Sequence, residues 1–235
     1  MKRLLIICSA FVTLFALCSC VHEYPDGEGI DPTVIDVNLK LKTSTPLSSS
    51  FYEPSHGLPY MWYVVEIYKD DFKGAPVFKK GIGVKKDDNG IATLEIPSRP
   101  LHAGKYKVVA WAMASEKDDG QGLGFSFDDL ASITYPNGYY GSSNKKECYE
   151  SRFSMDLADK GWFASAEYEE TLKTPMAAVQ VISTDADVFL QNLARNENVQ
   201  FSDFSIRWRY GLYSITGYDA KKGIPNKTET GNLFT

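Results

Sequence analysis

Apolar and polar side chains alternate along residues 33–43, TVIDVNLKLKT. Successive side chains of an extended chain point to opposite sides, so the apolar residues from Ile35 to Leu41 share one face and the polar residues between them share the other. A segment with this period of two can bury only one of its faces. The pattern therefore predicts a half-buried β-strand whose apolar face packs in a core.

Further runs rich in β-branched and aromatic residues follow, separated by turn and loop residues. They predict strands over residues 60–68, 74–84, 91–96, 105–113, 148–155 and 162–172. Between the third and fourth strands, Asn89-Gly90 is a strong signal for a hairpin turn. About seven or eight strands at this spacing predict a mainly β fold, an antiparallel β-sandwich over residues 33–172.

The pattern changes after Lys173. Residues 176–184 and 201–213 predict two more strands, and 185–196 predicts one short helix that begins with an acidic residue. The polar residues 217–235 predict no closing strand. About 60 residues are few for independent folding, so this second β-rich domain, 173–235, either packs on the first domain or is incomplete.

The first residues of the chain resemble an export signal. Lys2 and Arg3 precede the apolar segment 4–17, whose length is typical of a signal-peptide core and short for a membrane span. We therefore predict that residues 1–19 are a signal peptide that is removed on export. The residues that follow are then outside the cytoplasm.

The end of this signal resembles the lipobox of bacterial lipoproteins. It reads Leu17, Cys18, Ser19, Cys20: a branched residue, a spacer, a small residue and then a cysteine. We predict cleavage between Ser19 and Cys20 and lipidation of Cys20, which would hold the protein on a membrane. Cys18 fits less well because Leu17 would then stand where a small residue is needed. The alternative is an ordinary secretory signal.

The residues after this cysteine are polar and acidic. Residues 20–32 contain two prolines and two glycines, which predicts a flexible tether. Four of them are acidic: Glu23, Asp26, Glu28 and Asp31. An acidic segment at this place resembles the surface-export signal of Bacteroidetes lipoproteins, and the alternative is a solvated linker.

Charge and cysteine content exclude some classes of partner and chemistry. Two of the 25 basic residues leave with the signal, so 23 face 30 acidic residues, a formal charge of −7. No basic stripe is present, and we predict no nucleic-acid partner. Cys148 is the one cysteine that is neither removed nor lipidated, so no intramolecular disulfide is expected. Its context predicts a half-buried strand position.

The sequence contains no motif for catalysis. The three histidines, His22, His56 and His102, form no close pair, and no GxSxG motif marks a nucleophile. Asp87-Asp88-Asn89-Gly90 fails the EF-hand template because Lys85 and Ile96 would occupy the first and last ligand positions. The acidic and glycine-rich residues 118–129 predict a mobile loop, with a cation site as the alternative. We predict no enzyme, no cofactor and no metal.

Exposed aromatic side chains would favour glycan binding, as in surface glycan-binding lipoproteins. The four tryptophans, Trp62, Trp111, Trp162 and Trp208, all lie in predicted strands, so we expect most of them to pack in the core. The pair Tyr139-Tyr140, in a predicted loop, is the better candidate for a solvent-facing platform.

Several segments together resemble the FimB-type anchor and minor-subunit family of Bacteroidales fimbriae, the type V pili. The segments are the lipobox, the opening strand TVIDVNLKL (33–41), LHAGKYKVVAWA (101–112) and TPMAAVQVISTD (174–185). The resemblance implies transthyretin-like β-sandwich domains, lipid anchoring in the outer membrane and exposure at the cell surface. It also implies a role as fimbrial anchor or accessory subunit, joined to other subunits by strand addition.

Stalk subunits of such fimbriae are cut after an arginine near the first strand. This chain has no arginine between Arg3 and Arg99. The resemblance therefore implies that it keeps its lipid and remains an anchor.

Overall fold

The computed structural model describes residues 31, 33–46, 57–134, 146–176, 186–195, 208–209, 214–230 and 233–234. Most of the regular structure in these residues is β-strand. The strands are β1 (Ile35–Thr43), β2 (Tyr60–Lys69), β3 (Phe78–Lys85), β4 (Thr93–Leu101), β5 (Gly104–Ser115), β6 (Ser126–Phe127), β7 (Ile133–Thr134), β8 (Cys148–Leu157), β9 (Ser165–Leu172), β10 (Trp208–Arg209), β11 (Ser214–Asp219), β12 (Ile224–Glu229) and β13 (Leu233–Phe234), and the helix is α1 (Ala186–Ala194).

Two sheets face each other. One has the strand order β4-β1-β9, in which β1 is antiparallel to β4 and parallel to β9. The other has the order β3-β2-β5-β8 with every pair antiparallel. The alternate residues of β1 from Ile35 to Leu41 are buried between the sheets, against β2 and β5. The predicted mainly β, antiparallel β-sandwich is confirmed, with β1 and β9 as a parallel pair within it.

The four-stranded sheet is buried on its second face as well. There Trp111 of β5 packs with Val64, Phe125 and Ile133, and with Ala220 from the turn that follows β11. β11 pairs with β12 in a hairpin and with β7 on its other side. The hairpin of β11 and β12 therefore contacts the sandwich, whereas the predicted domain boundary at Lys173 stays a prediction.

The prediction that no strand follows Gly217 is wrong, since β11 ends at Asp219 and β12 spans Ile224–Glu229. Every side chain of β12 is exposed, so its sequence needs no apolar alternation and gives no period-two signal. The predicted helix is confirmed as α1, although its apolar residues Val188 and Leu190 are exposed. The strand predicted over 176–184 lies, after Met176, outside the described residues.

A buried carboxylate joins the C-terminal hairpin to the four-stranded sheet. Glu66 of β2 is 1% exposed, and its carboxylate lies 2.9 Å from Lys79 Nζ and accepts a hydrogen bond of 2.5 Å from the Tyr68 hydroxyl. Lys221, between β11 and β12, lies 3.9 Å from the same carboxylate and 2.7 Å from Asp129 Oδ1. Burial and the Glu66 carboxylate raise the pKa of Tyr68 to about 12.

Replacing Glu66 with alanine should therefore destabilise the protein by about 3 kcal/mol, because Lys221 and the Tyr68 hydroxyl would lose a buried partner. Urea unfolding measures this change. Lys40→Ala is the control, since Lys40 and its partner Glu169 are 48% and 63% exposed and the loss of this pair should cost less than about 1 kcal/mol. Equal costs for the two variants would show that Glu66 does not hold the hairpin.

Candidate functional site

The two sheets of the sandwich have four edge strands, which meet in two pairs. β3 lies near β4 on one side of the sandwich, and β8 lies near β9 on the other. An edge strand presents unpaired backbone N–H and C=O groups that can accept a further strand from another chain. The residues of each edge determine whether this can happen.

The edge at β4 is interrupted by its own sequence. Pro97 and Pro100 have no N–H group to donate, and Ser98 has a φ of 56°, so the strand is irregular there. The Arg99 guanidinium lies 4.4 Å from the centre of the Phe78 ring on β3 and covers the gap between the two edges. Prolines and irregularities of this kind disfavour strand addition.

The edge at β3 carries charge and lacks side chains in its middle. Lys79, Lys80 and Lys85 line the strand, and Gly81 and Gly83 leave it without side chains at two positions. Lysines on an edge strand are a common protection against pairing with another chain. The side of the sandwich formed by β3 and β4 is therefore a poor acceptor.

On the other side, β8 and β9 are joined at one end. Glu150 of β8 and Lys173, just after β9, exchange two backbone hydrogen bonds of 2.8 and 2.9 Å. The Ser151 hydroxyl also donates to Glu170 Oε1 over 3.0 Å. Burial raises the pKa of Glu150, and hydrogen bonds from Tyr218 and Arg152 oppose that rise. The junction closes the gap between the two sheets at this end.

Toward its start, β9 is open on one side. The Asp36 N–H donates to the Ala164 carbonyl over 2.8 Å, and the Ser44 N–H donates to the Leu172 carbonyl over 2.8 Å, so the even-numbered residues of β9 pair with β1. The odd-numbered residues point their N–H and C=O groups the other way, where no described strand pairs with them. We call these groups the β9 edge: Ser165, Glu167, Glu169 and Thr171.

This alternation of N–H directions agrees with the junction between β8 and β9. Lys173 is odd-numbered, and its backbone bonds to β8 on the side of β9 that faces away from β1. β9 contains neither proline nor glycine nor lysine. β8, the neighbouring edge, also lacks these three residue types. The backbone of β9 is regular, and its charged residues are glutamates, so β9 is a candidate acceptor among the described edges of the sandwich.

Half-buried apolar side chains lie beside the β9 edge. Phe153, Ala164, Ala166 and Tyr168 all pack against the main core without being fully covered. The Tyr168 hydroxyl donates to the backbone carbonyl of Asp156 on β8 over 3.3 Å. An added strand could place alternate side chains on this apolar surface.

The outer face next to the β9 edge is acidic. Glu167 and Glu169 are exposed there, and Lys40 of β1 lies 3.9 Å from the Glu169 carboxylate. With Glu95 of β4 they line a groove of about 420 Å³ across the outer face of the three-stranded sheet. Exposed ion pairs contribute little to stability, so these carboxylates remain able to attract a basic partner.

The other sequence candidates do not assemble into a reactive site. Cys148 is 2% exposed, deeper than the predicted half-buried position, and burial raises the pKa of its thiol, which disfavours the reactive thiolate. His102 is exposed in the turn between β4 and β5, whereas His22 and His56 lie outside the described residues. No group of three metal-ligating side chains occurs within the part of the chain that the structure describes.

The two acidic loops have structural roles. Asp87 Oδ1 accepts hydrogen bonds from the N–H groups of Asn89 and Ile91, as expected of a turn. The loop after β5 packs on Trp62, whose indole lies so close to Gly81 and Gly120 that a Cβ on them would approach it to 2.5 and 2.8 Å. This close packing gives Gly120 of that loop and Gly81 of β3 a structural reason.

The tryptophans separate into two kinds. Trp111 is buried and Trp62 half-buried, as predicted for core residues, and Trp208 lies in β10. The prediction that Trp162 lies in a strand is wrong: it precedes β9 in a turn and is 53% exposed. Phe163 beside it is 69% exposed. Tyr139-Tyr140 lies outside the described residues.

The predicted cleavage site at Ser19 and Cys20 and the tether up to residue 30 also lie outside the described residues, so lipidation of Cys20 stays a prediction. Within the described ranges, no helix has the length and apolar character that a membrane span requires.

The fold and its edges define a β-sandwich protein in which β9 offers an open edge among the described strands. The chain belongs to DUF6562, a family of unknown function, whose model matches residues 32–235. No curated protein matches the chain. A crystal structure of a fimbrial assembly protein from Parabacteroides distasonis is similar to it with a TM-score of 0.36 and 10% identity, over 60% of this chain.

That match covers 53% of the crystallised protein, so the chain spans about half of its length. A likeness at this TM-score carries no argument about fold or function. The resemblance to the FimB-type family therefore stays a prediction from the sequence motifs.

Proposed function

We propose that this protein is a lipid-anchored protein of the outer-membrane surface that serves as an anchor or accessory subunit of fimbriae. It acts by binding and not by catalysis. A fimbrial subunit adds a strand to the β9 edge. The observation that carries the proposal is the regular backbone of Ser165, Glu167, Glu169 and Thr171, with which no strand in the described part of the chain pairs.

Three sequence features support this function. The lipobox at residues 17–20 provides a lipid anchor at Cys20. The segments 33–41, 101–112 and 174–185 resemble the FimB-type family. The absence of arginine between Arg3 and Arg99 would let the protein keep its lipid when other subunits are cut. Together they favour an anchor over a polymerising stalk subunit.

The geometry of the edge indicates how the partner would bind. An added strand extends the three-stranded sheet, with backbone hydrogen bonds providing affinity and alternate side chains providing specificity. On the inner side, those side chains would contact Phe153 and Tyr168. On the outer side they would meet Glu167 and Glu169, so we expect lysine or arginine at those positions of the partner strand.

Replacing Glu169 with proline tests this mode of binding. The Glu169 N–H points away from β1, so proline removes a donor of the β9 edge and leaves the β1 ladder in place. We expect the recovery of fimbrial subunits in a pull-down, identified by mass spectrometry, to fall at least about tenfold.

Glu95→Pro is the matched control. Glu95 and Glu169 pair with the same residue, Lys40, from opposite edges of the sheet, and both direct their N–H groups outward. The control should retain the subunits, since β4 already contains two prolines. Equal recovery with both variants would refute strand addition at β9. If the unmodified protein retained no fimbrial subunit, the fimbrial role itself would be refuted.

A further inference from the structure

Two large aromatic side chains project from the turn between β8 and β9. Trp162 and Phe163 are 53% and 69% exposed, and Gly161 precedes them with a φ of 85°. Phe163 itself has a φ of 55°, in the left-handed region that bulky residues rarely adopt. We call Trp162 and Phe163 the aromatic tip.

The conformation of this tip is unfavourable for the isolated molecule. Left-handed backbone at a non-glycine residue costs about 1 kcal/mol or more. Leaving two adjacent aromatic side chains more than half exposed forgoes part of the free energy that full burial would provide. A turn that combines an unfavourable backbone conformation with exposed apolar side chains suggests a binding function.

The aromatic tip lies where the chain enters the sandwich. Ala164, the next residue, accepts the hydrogen bond of 2.8 Å from the Asp36 N–H, so the tip is adjacent to the start of β1. The predicted tether, residues 20–32, joins the sandwich at this same end. Its 13 residues would have a root-mean-square length of about 20 Å if they behave as a flexible coil.

We propose that the aromatic tip inserts into the headgroup region of the bilayer that carries the lipid on Cys20. The proposal rests on the lipid anchoring inferred above. Tryptophan favours membrane interfaces because its ring is apolar and its N–H polar, and phenylalanine contributes apolar area. The tether turns the insertion into an intramolecular step, so a weak affinity of the tip for lipid is sufficient.

This second contact orients the body on the membrane. β9 runs from the aromatic tip toward Leu172 and is parallel to β1, so both strands would point away from the bilayer. The β9 edge would then stand upright at the membrane surface and face sideways. A subunit could reach it without displacing the anchor.

A fluorescent probe at Phe163 tests the proposal on the full-length lipidated protein. The Phe163→Cys variant is labelled with the dye NBD and reconstituted in vesicles of phosphatidylethanolamine and phosphatidylglycerol. Cys148 is buried and should not react with the dye. We expect a blue-shifted emission and at least about a twofold rise in intensity on reconstitution, because the dye would leave water.

Asn89→Cys, labelled in the same way, is the control. Asn89 is exposed in the turn before β4, near the far end of β1, at about 25 Å from the aromatic tip for a strand of this length. Its emission should not change. Flotation of both labelled proteins with the vesicles shows that the lipid anchor is intact.

The outcomes separate the two proposals. If both proteins float and the probe at position 163 stays in water, the membrane contact is refuted and the anchoring stands. A response at position 163 to added cell-surface polysaccharide, but not to vesicles, would refute it in favour of glycan binding. If neither protein floats, the lipid anchoring fails and the membrane contact fails with it.

Discussion

Replacing Cys20 with serine is expected to release the protein completely from the membrane fraction. Lipidation at this position would attach three acyl chains, and each buried CH₂ group contributes about 0.8 kcal/mol to membrane binding. One such chain binds reversibly, whereas several hold a protein for its lifetime. A serine cannot form the thioether, so the loss should be total. Fractionation and immunoblotting of cells measure it.

Cys18→Ser is the matched control for this experiment. It lies two residues away in the same signal and should leave both lipidation and fractionation unchanged. If Cys18→Ser released the protein from the membrane, the lipid would be on Cys18 and not on Cys20. Retention of Cys20→Ser on the membrane would refute anchoring at position 20.

Replacing Trp111 with alanine should cause the largest loss of stability among the substitutions considered. The Trp111 side chain is 1% exposed and lies on the second face of the four-stranded sheet, with ring centres 5.7 Å from those of Phe125 and Tyr218. Removing a buried aromatic ring typically costs about 3 to 5 kcal/mol. Urea unfolding should show this loss, and limited proteolysis should cut earlier between β11 and β12.

Trp111→Phe separates the loss of the ring from the loss of its N–H group. The indole N–H has no hydrogen-bond acceptor among the described residues, so phenylalanine removes an unsatisfied donor and part of the ring volume. We expect a cost of about 1 to 2 kcal/mol. If Trp111→Ala were as stable as the unmodified protein, the hairpin of β11 and β12 would not share a core with the sandwich.

The sandwich could be predicted because its strands carry their pattern locally. β1 buries every second residue from Ile35 to Leu41, and the apolar run of β2 packs on both faces of its sheet. In both strands the spacing of apolar residues follows directly from which faces of the strand pack in a core. β12 shows the opposite case, since a fully exposed strand gives no such signal.

The candidate site could not be predicted from sequence, because an open edge depends on which strands pair. The pairing of β1 with β9 joins residues about 130 positions apart and leaves one side of β9 without a partner among the described strands. Pro97 and Pro100 could have marked β4 as an edge, since proline avoids central strands. The exposure of Trp162 could not be predicted, because sequence does not distinguish apolar residues that directly precede a strand from the strand itself.

Site-specific photo-crosslinking in living cells tests the central claim most directly. Benzoylphenylalanine replaces Glu169 in one strain and Glu95, the residue opposite Lys40 on the other edge, in a second strain. We predict an adduct with a fimbrial subunit, identified by mass spectrometry, from position 169 and none from position 95. An adduct from both positions, or from neither, would contradict binding at the β9 edge.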